Sequence, residues 1–540
     1  MCHNVMTVDR SDGFVQLRES TMPDSDSNSL PRNSFSSSAD GLPSRIAEPC
    51  VIVLFGATGD LTHRKLLPAL CRLAQSGQLA NQYAVLGFAR RDWSHDRFRE
   101  EMASSIASHS VISGHWPEFA RHLFVSPGTF DDLASFEALK LQLDAMDQEF
   151  GTKGNRLFYL ATAPEAFSQI VENLGKSGLI YPPNSTGPWS RVVVEKPFGN
   201  DTQSAIQLHE DISKWLTEAQ TYRIDHYLGK ETVQNILALR FGNTVWESIW
   251  NRAHVASIQF LVSETVGMSG GRGAFYDQAG AIRDMVQNHM MQLLGMICLE
   301  PPGDLSADSL RNEMVKVLQA LPKWTQADVV QNVVRGQYSA GVVDGEAVPG
   351  YVTERNVKPD STTETYLAMR LTLENWRWAG VPIYFRTGKR LPKRTTEIAI
   401  QFRRPPAALY EAQNIHGDQG ANHLILRIQP DEGASLFFQA KVPGSRRRLQ
   451  EVHMDFGYSG TFAGPPPEAY ERLLLDVILG DQSLFTRIDF VLNSWKFVTN
   501  IMQTWESQQI KPLQYAAGTW GPAESEQLLS RDGFRWRKPS

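Results

Sequence analysis

The stretch CVIVLFGATGDLT, residues 50–62, decides the fold. Its first six residues are an unbroken apolar run, the pattern of a strand buried on both faces in a parallel sheet. The run passes directly into Gly56, and Gly59 follows three residues later. Gly56 permits a tight turn, and Gly59 lets the backbone come close to a diphosphate. From about Leu61 to Leu73 the apolar spacing is helical. The turn therefore opens onto a helix whose free N–H groups and positive dipole end favour an anion. Strand, glycine turn and helix together predict a dinucleotide site, although the middle glycine of the six-residue form is missing. Gly56, Thr58, Gly59, Asp60 and Leu61 are expected to line it.

Outward from this unit the same rhythm continues. YAVLGFA (83–89), HLFVSP (122–127), RLFYLA (156–161) and RVVVEKP (191–197) read as further strands. FEALKLQLDAM (136–146) and PEAFSQIVENLG (164–175) read as helices between them. Such alternation predicts a Rossmann-type, doubly wound parallel sheet over residues 47–222. The second strand ends GFARRDW (87–93). NAD sites carry an acid there for the ribose hydroxyls, and NADP sites carry an arginine for the 2′-phosphate. Arg90 and Arg91 occupy that place, and a guanidinium can grip phosphate bidentately. NADP is therefore the expected cofactor, with Asp92 the one neighbour favouring NAD.

After about residue 230 the pattern changes. A helix over KETVQNILALRF (230–241) leads into VASIQFLVSE (255–264), TYLAMRLTLENW (365–376), VPIYFR (381–386), TEIAIQFR (396–403), HLILRIQP (423–430) and ASLFFQA (434–440). Several of these strands succeed one another without a helix between, which predicts a mainly antiparallel sheet. Helices near 280–299, 466–479 and 485–505 can cover one face. The fold class is thus α/β followed by a larger α+β domain over residues 223–540. Residues 1–46 include the serine-rich stretch DSDSNSLPRNSFSSSAD (24–40) and read as a disordered tail.

Composition narrows the function classes. The chain has 540 residues, 42% of them apolar, so two folded domains are expected. A net charge of −6 argues against a general nucleic-acid binder, and no apolar run is long enough to span a membrane. Four cysteines without a C-x-x-C pair point to a reducing, cytoplasmic setting. The 13 histidines are scattered, and no metal site is expected.

Three segments carry chemistry. EKPFG (195–199) places Lys196 at the carboxyl end of a parallel strand, where ligands gather. RIDHYLGK (223–230) crowds ionisable groups of both signs into eight residues. GRGAFYDQAGAIRDMVQNHMMQLL (271–294) opens a long helix with Asp284 and His289. Five residues on an α-helix turn through about 140°, so those two do not share a stripe. Alcohol oxidation by hydride transfer needs a base, and histidine can serve at neutral pH. A carboxylate on its other ring nitrogen would fix the tautomer. The pattern leaves open which histidine is the base.

Taken together, GATGDLTHRKLLPAL (56–70), NRLFYLA (155–161), RVVVEKPFG (191–199), RIDHYLGKE (223–231), DMVQNHMMQ (284–292), RTGKRL (386–391) and EAYERLLLDVILGD (468–481) resemble the glucose-6-phosphate dehydrogenase family. The resemblance spans roughly residues 48 to 536. It implies oxidation of glucose 6-phosphate to 6-phosphogluconolactone with NADP, and a homodimer or homotetramer built on the large sheet. It implies that His289 is the base and Asp225 its orienting acid. It implies that His226, Tyr227 and Lys230 hold the phosphate and that Lys196 touches substrate and coenzyme. It further implies that Glu264, Asp284, Lys389 and Gln429 bind substrate and that Arg90 meets the 2′-phosphate. Within RIDHYLGK only Arg223 is then left to a solvated face. Two residues depart from the family's usual coenzyme turn: Thr62 stands where alanine is common, and His63 where lysine is frequent. The rival readings are another NADP-dependent Rossmann sugar oxidoreductase and a non-catalytic NADP-binding redox sensor. RIDHYLGKE is foreign to the first. The second would have no use for His289, and its relatives' Y-x-x-x-K spacing is not met by Tyr227 and Lys230.

Overall fold

Residues 46–107, 110–183, 187–268, 271–405, 420–461 and 467–539 are described by the computed structural model. Apart from Ile46, the expected tail lies outside them. Among the described residues the first sheet has six strands: β1 (Cys50–Phe55), β2 (Tyr83–Ala89), β3 (Leu123–Pro127), β4 (Arg156–Leu160), β5 (Ser190–Val194) and β6 (Thr221–Arg223). Their order is β3-β2-β1-β4-β5-β6, and every neighbouring pair is parallel. All residues of β1, β2 and β4 are buried, as strands covered on both faces require, and the one charged member, Arg156, is paired with Asp147. The order reverses between β1 and β4, so a crevice opens beyond the carboxyl ends of these strands. Ile224 N–H continues the β5–β6 pairing by donating to Val194 O at 3.0 Å, which leaves Asp225 at that same edge. Arg223 corrects an expectation. It is buried, and its guanidinium is paired with Glu218 Oε1 at 2.7 Å.

The larger sheet holds β7 (Val255–Ser263), β8 (Val333–Ser339), β11 (Tyr366–Leu371), β12 (Ile383–Gly388), β13 (Thr395–Phe402), β14 (His423–Gln429), β15 (Gly433–Lys441), β16 (Leu449–Gly457) and β17 (Leu513–Ala516), with a separate hairpin of β9 (Gly341–Val343) and β10 (Glu346–Val348). Its order is β16-β15-β14-β13-β7-β12-β11-β8-β17. Neighbours are antiparallel except β7 with β12 and β8 with β17. Three strands escape a reading of apolar runs. β8 is interrupted by Gly336, β16 is largely exposed, and β17 has only four residues.

Helices lock the two sheets around the crevice. Trp495, fully buried on the helix Ile488–Ser507, donates its indole N–H to Phe198 O at 2.8 Å, just past the end of β5. One residue earlier, Ser494 Oγ donates to Gln287 O. A buried indole needs such a partner, so this one contact fixes both packing and orientation. Trp250 and Trp378 do the same beneath the large sheet, donating at 2.8 Å to Ile297 O and Cys298 O. Residues Ile46–Ser540 cluster as a single unit. Among the described residues no helix is long and apolar enough to cross a membrane.

Candidate active site

The glycine turn behaves as its sequence predicts. Gly56 has φ +78°, and a Cβ there would fall 2.3 Å from Ala161 O at the end of β4. A side chain is therefore excluded twice, by backbone conformation and by space. Gly59 N–H donates to Gly56 O at 2.9 Å, and Thr62 Oγ1 donates to the same oxygen at 3.2 Å. The uncommon Thr62 thus ties the following helix back onto the turn. His63 lies beside it with Nδ1 2.7 Å from Ser105 Oγ. Thr58 and Leu61 are half-buried, and Asp60 is exposed with Arg64 3.5 Å away. At the end of β2, Arg90 is exposed, and the Arg91 guanidinium lies 4.8 Å over the Trp93 ring. A cradle that only glycine fits, a helix start and two guanidiniums suit a diphosphate carrying a further phosphate. The site fits NADP.

Across the crevice, Asp225 and His289 are both buried and joined by a hydrogen bond of 2.6 Å between Oδ1 and Nδ1. Tyr227 N–H donates to the same Oδ1 at 3.0 Å, while the buried Oδ2 has no partner. The Tyr227 ring stacks on the His289 ring at 4.3 Å and 22°, and His226 meets His289 edge-on at 4.7 Å. Stacking and hydrogen bond together leave the imidazole one orientation, with Nε2 turned to the crevice. Lys196 Nζ reaches that nitrogen at 3.1 Å and also donates to Asp284 O at 3.0 Å and to Asp284 Oδ1 at 3.2 Å.

One ammonium can therefore touch residues 284 and 289, which the α-helical argument set about 140° apart. The segment Ile282–Met290 is not α-helical but π-helical. Its i→i+5 repeat brings residues five apart onto one face. Gly280, at φ +65°, breaks the helix just before it. Nothing in the apolar spacing announces this winding.

Two ends of the cluster can be distinguished. At one end Lys389 Nζ donates to Glu264 Oε2 and lies 3.5 Å from Asp284 Oδ2. At the other end Lys230 Nζ donates to Gln429 Oε1 and sits 4.5 Å over the Tyr227 ring, whose hydroxyl lies 3.4 Å from Thr396 Oγ1. The first end is rich in carboxylates and suits hydroxyls. The second is cationic and suits an anion. Asp225, His226 and His289 also bring ligand-type atoms within 4.8 Å of one another, but Asp225 Oδ1 is already committed to His289.

Burial and charge set the protonation states. Burial pushes the Asp225 carboxyl up, but His289 beside it more than compensates and holds it at about 2. For Asp284 burial is likewise outweighed by Lys196 and Lys389, leaving its carboxyl well below the usual range. Burial lowers the His289 imidazole, with Asp225 pulling the other way, and lowers His226 strongly. Lys230 is drawn down by burial to about 8, partly opposed by Glu432. Lys389 is raised, because Asp284 and Glu264 outweigh its burial. At neutral pH the site thus holds Asp225 and Asp284 ionised, neutral imidazoles and, at its cationic end, a lysine close to titration.

Near the site Arg394 and Glu432 carry no signal of their own in the sequence, and Glu195 stands in EKPFG without a role that pattern assigns it. Arg394 presses on the Lys230 charge, Glu432 supports it, and Glu195 accepts from two tyrosines beside Lys196. Each is an ordinary charged residue at a strand end or turn until the fold brings its neighbours in.

Comparison with known proteins follows the same lines. Residues 53–235 match the model of the glucose-6-phosphate dehydrogenase NAD binding domain, and residues 237–537 match that of the glucose-6-phosphate dehydrogenase C-terminal domain. The chain is 47% identical to the glucose-6-phosphate 1-dehydrogenase of Chlamydia pneumoniae over 499 residues, covering 91% of this chain and 97% of the relative. It is 44% identical to glucose-6-phosphate 1-dehydrogenase 2 of Mycobacterium tuberculosis, over 94% of this chain and 98% of that one. A solved glucose-6-phosphate dehydrogenase in complex with glucose-6-phosphate superposes with a TM-score of 0.82 at 35% identity, over 92% of this chain and 100% of the other.

Proposed function

Because the chain belongs to the glucose-6-phosphate dehydrogenase family, we propose that it oxidises glucose 6-phosphate at the anomeric carbon to 6-phosphogluconolactone, with NADP as the oxidant. The observation that carries this reading is the buried Asp225–His289 pair at 2.6 Å, set between a carboxylate-rich end and a cationic end of one crevice. NADP, held by Gly56, Gly59, the helix start beyond them and Arg90, supplies the hydride acceptor. Asp225 keeps the His289 proton on Nδ1, so the Nε2 lone pair faces the crevice as a base. In the free protein Lys196 donates to that lone pair, and the anomeric hydroxyl takes the place of the ammonium on binding. As His289 gains the hydroxyl proton, Asp225 stabilises the imidazolium, and the displaced Lys196 remains within reach of the oxygen. Lys230, His226 and Tyr227 grip the phosphate, with Gln429 holding Lys230. Lys389, Glu264 and Asp284 take the sugar hydroxyls. We further propose a cytoplasmic homodimer or homotetramer joined through the large sheet, whose edge strand β16 is largely exposed.

The direct test mixes the protein with glucose 6-phosphate and each nicotinamide in turn, and follows absorbance of the reduced nicotinamide. Reduction of NADP is expected; no reduction of either coenzyme removes the reading. Arg90→Ala is expected to weaken NADP roughly ten- to hundredfold, the worth of a charge-assisted hydrogen bond, and to leave NAD nearly untouched. Equal weakening of both in a titration would deny Arg90 its place at the 2′-phosphate.

Lys230 gives a pH prediction. Its ammonium is lost as pH rises through about 8 in the free protein, so kcat/KM should fall above that value. A bound phosphate dianion raises the same group, so kcat should stay level. Lys230→Arg keeps the charge and should remove the alkaline fall. A wild-type kcat/KM that stays flat well above pH 8 contradicts the assignment.

A further inference from the structure

Beyond Val194 the β5 ladder ends, yet Lys196 must be held to within a few tenths of an ångström to meet three partners at 3.0, 3.1 and 3.2 Å. A long flexible side chain does not hold such a place unaided. Its backbone is anchored on the far side, where Phe198 O accepts from Trp495 Nε1 at 2.8 Å. On the near side the anchor is the side chain of Glu195. Tyr159 OH, fully buried at the heart of β4, donates to Glu195 Oε1 at 2.5 Å. Tyr470 OH, on the helix Ala469–Leu479, donates to the same oxygen at 3.3 Å. Two phenols aimed at one oxygen demand an acceptor, which the Glu195 carboxyl supplies. Successive side chains thus go to different neighbours: Glu195 to a tyrosine clamp, and Lys196 to Asp284 and His289.

From this juxtaposition we infer that Glu195 is a positioning residue for the reaction, fixing Lys196 against His289 through the hydroxyls of Tyr159 and Tyr470. The clamp also joins two parts of the molecule, since Tyr159 comes from β4 of the parallel sheet and Tyr470 from the helix Ala469–Leu479. The charged and titratable groups facing Glu195 are Tyr159, Tyr470, Lys196 and Asp225, and burial opposes its ionisation. A carboxylate here adds negative charge near the Asp225–His289 pair, and so makes His289 easier to protonate.

The inference rests on Lys196 serving the active site. Wild-type protein without glucose 6-phosphate-dependent NADP reduction would sink that reading, whereas the outcomes below are read on active enzyme and bear on Glu195 alone. Glu195→Ala is expected to lower kcat/KM for glucose 6-phosphate about 10–10²-fold, the cost of loosening a reacting constellation, while Kd for NADP changes less than about threefold. Glu195→Gln keeps an oxygen for both tyrosines, so it should restore neutral-pH activity to within about threefold of wild type. Having lost the charge, it should show the acid limb of its kcat/KM profile displaced to lower pH. A purely structural role would leave that limb in place. An unmoved limb in Glu195→Gln, or wild-type kcat/KM in Glu195→Ala, overturns the inference. Should Glu195→Ala fail to fold, the limb in Glu195→Gln still decides.

Discussion

His289→Asn should lower kcat by roughly 10²–10⁴, the usual worth of a general base, and leave the KM for glucose 6-phosphate within a small factor of wild type. Asparagine is nearly isosteric with one edge of the imidazole and can keep a hydrogen bond to Asp225, so folding should survive. The amide has no lone pair basic enough to take a hydroxyl proton. The phosphate contacts proposed for Lys230, His226 and Tyr227 involve other side chains, and binding should persist. Steady-state kinetics with both substrates saturating is the check. Turnover near the wild-type value would transfer the base to another group.

Asp225→Asn should cost less, about 10–10³ in kcat, and the reason lies in the hydrogen bonds of the carboxylate. Tyr227 N–H and His289 Nδ1 both meet Oδ1, at 3.0 and 2.6 Å. An asparagine will turn its carbonyl oxygen to that position, where both donors want an acceptor, and its amide to the unpartnered Oδ2 position. The tautomer of His289 is then preserved, and only the charge is lost. An adjacent opposite charge is worth about 1–3 pKa units, which sets the expected range. Asp225 is held at about 2, so the wild-type carboxylate is ionised throughout the working range. Removing it makes His289 harder to protonate, and the acid limb of kcat/KM should move to lower pH. A limb that stays put, or a loss larger than that of His289→Asn, would mean that Asp225 acts in some other way. The same depressed pKa has a stability sign. The folded-state value lies below the unfolded one, so the contribution of Asp225 to stability is present above about 4 and is lost as pH falls through about 2.

How much of this was legible beforehand depended on whether the signal was local. The apolar run of β1 and Gly56 are short-range features, and each does in the structure what its sequence predicts; the helix after them also forms, although its first turn, Thr62–Leu66, is π-wound before the α-helix Leu67–Gln75. Alternation of strands and helices is similarly local, and it predicts the parallel sheet and the change to a mainly antiparallel one. Strands with few apolar residues, such as β16 and β17, are held by their partners in the ladder and not by their own pattern. Arg223 shows the reverse error: its charge suggests solvent, but Glu218 pairs with it in the interior. In the site, the residues of EKPFG and RIDHYLGK are recognisable as a chemical set, while their mutual placement is not. Glu195 stands in EKPFG with no role its own pattern assigns until Tyr159 and Tyr470 close on it from positions 36 and 275 residues away.

The widened coil at Ile282–Met290 makes the alignment of Asp284 with His289 depend on how the backbone winds as well as on residue type. Rewound at unchanged length as an ordinary, tighter coil, this segment would gain better backbone bonding and keep every side chain. The acid would then swing to another side of the cylinder, and Lys196 would have to abandon one partner to keep the other. A chain wound in this way would be sturdier and yet mis-wired, so the backbone winding of this stretch is under a constraint that comparison of residue identities alone would not reveal.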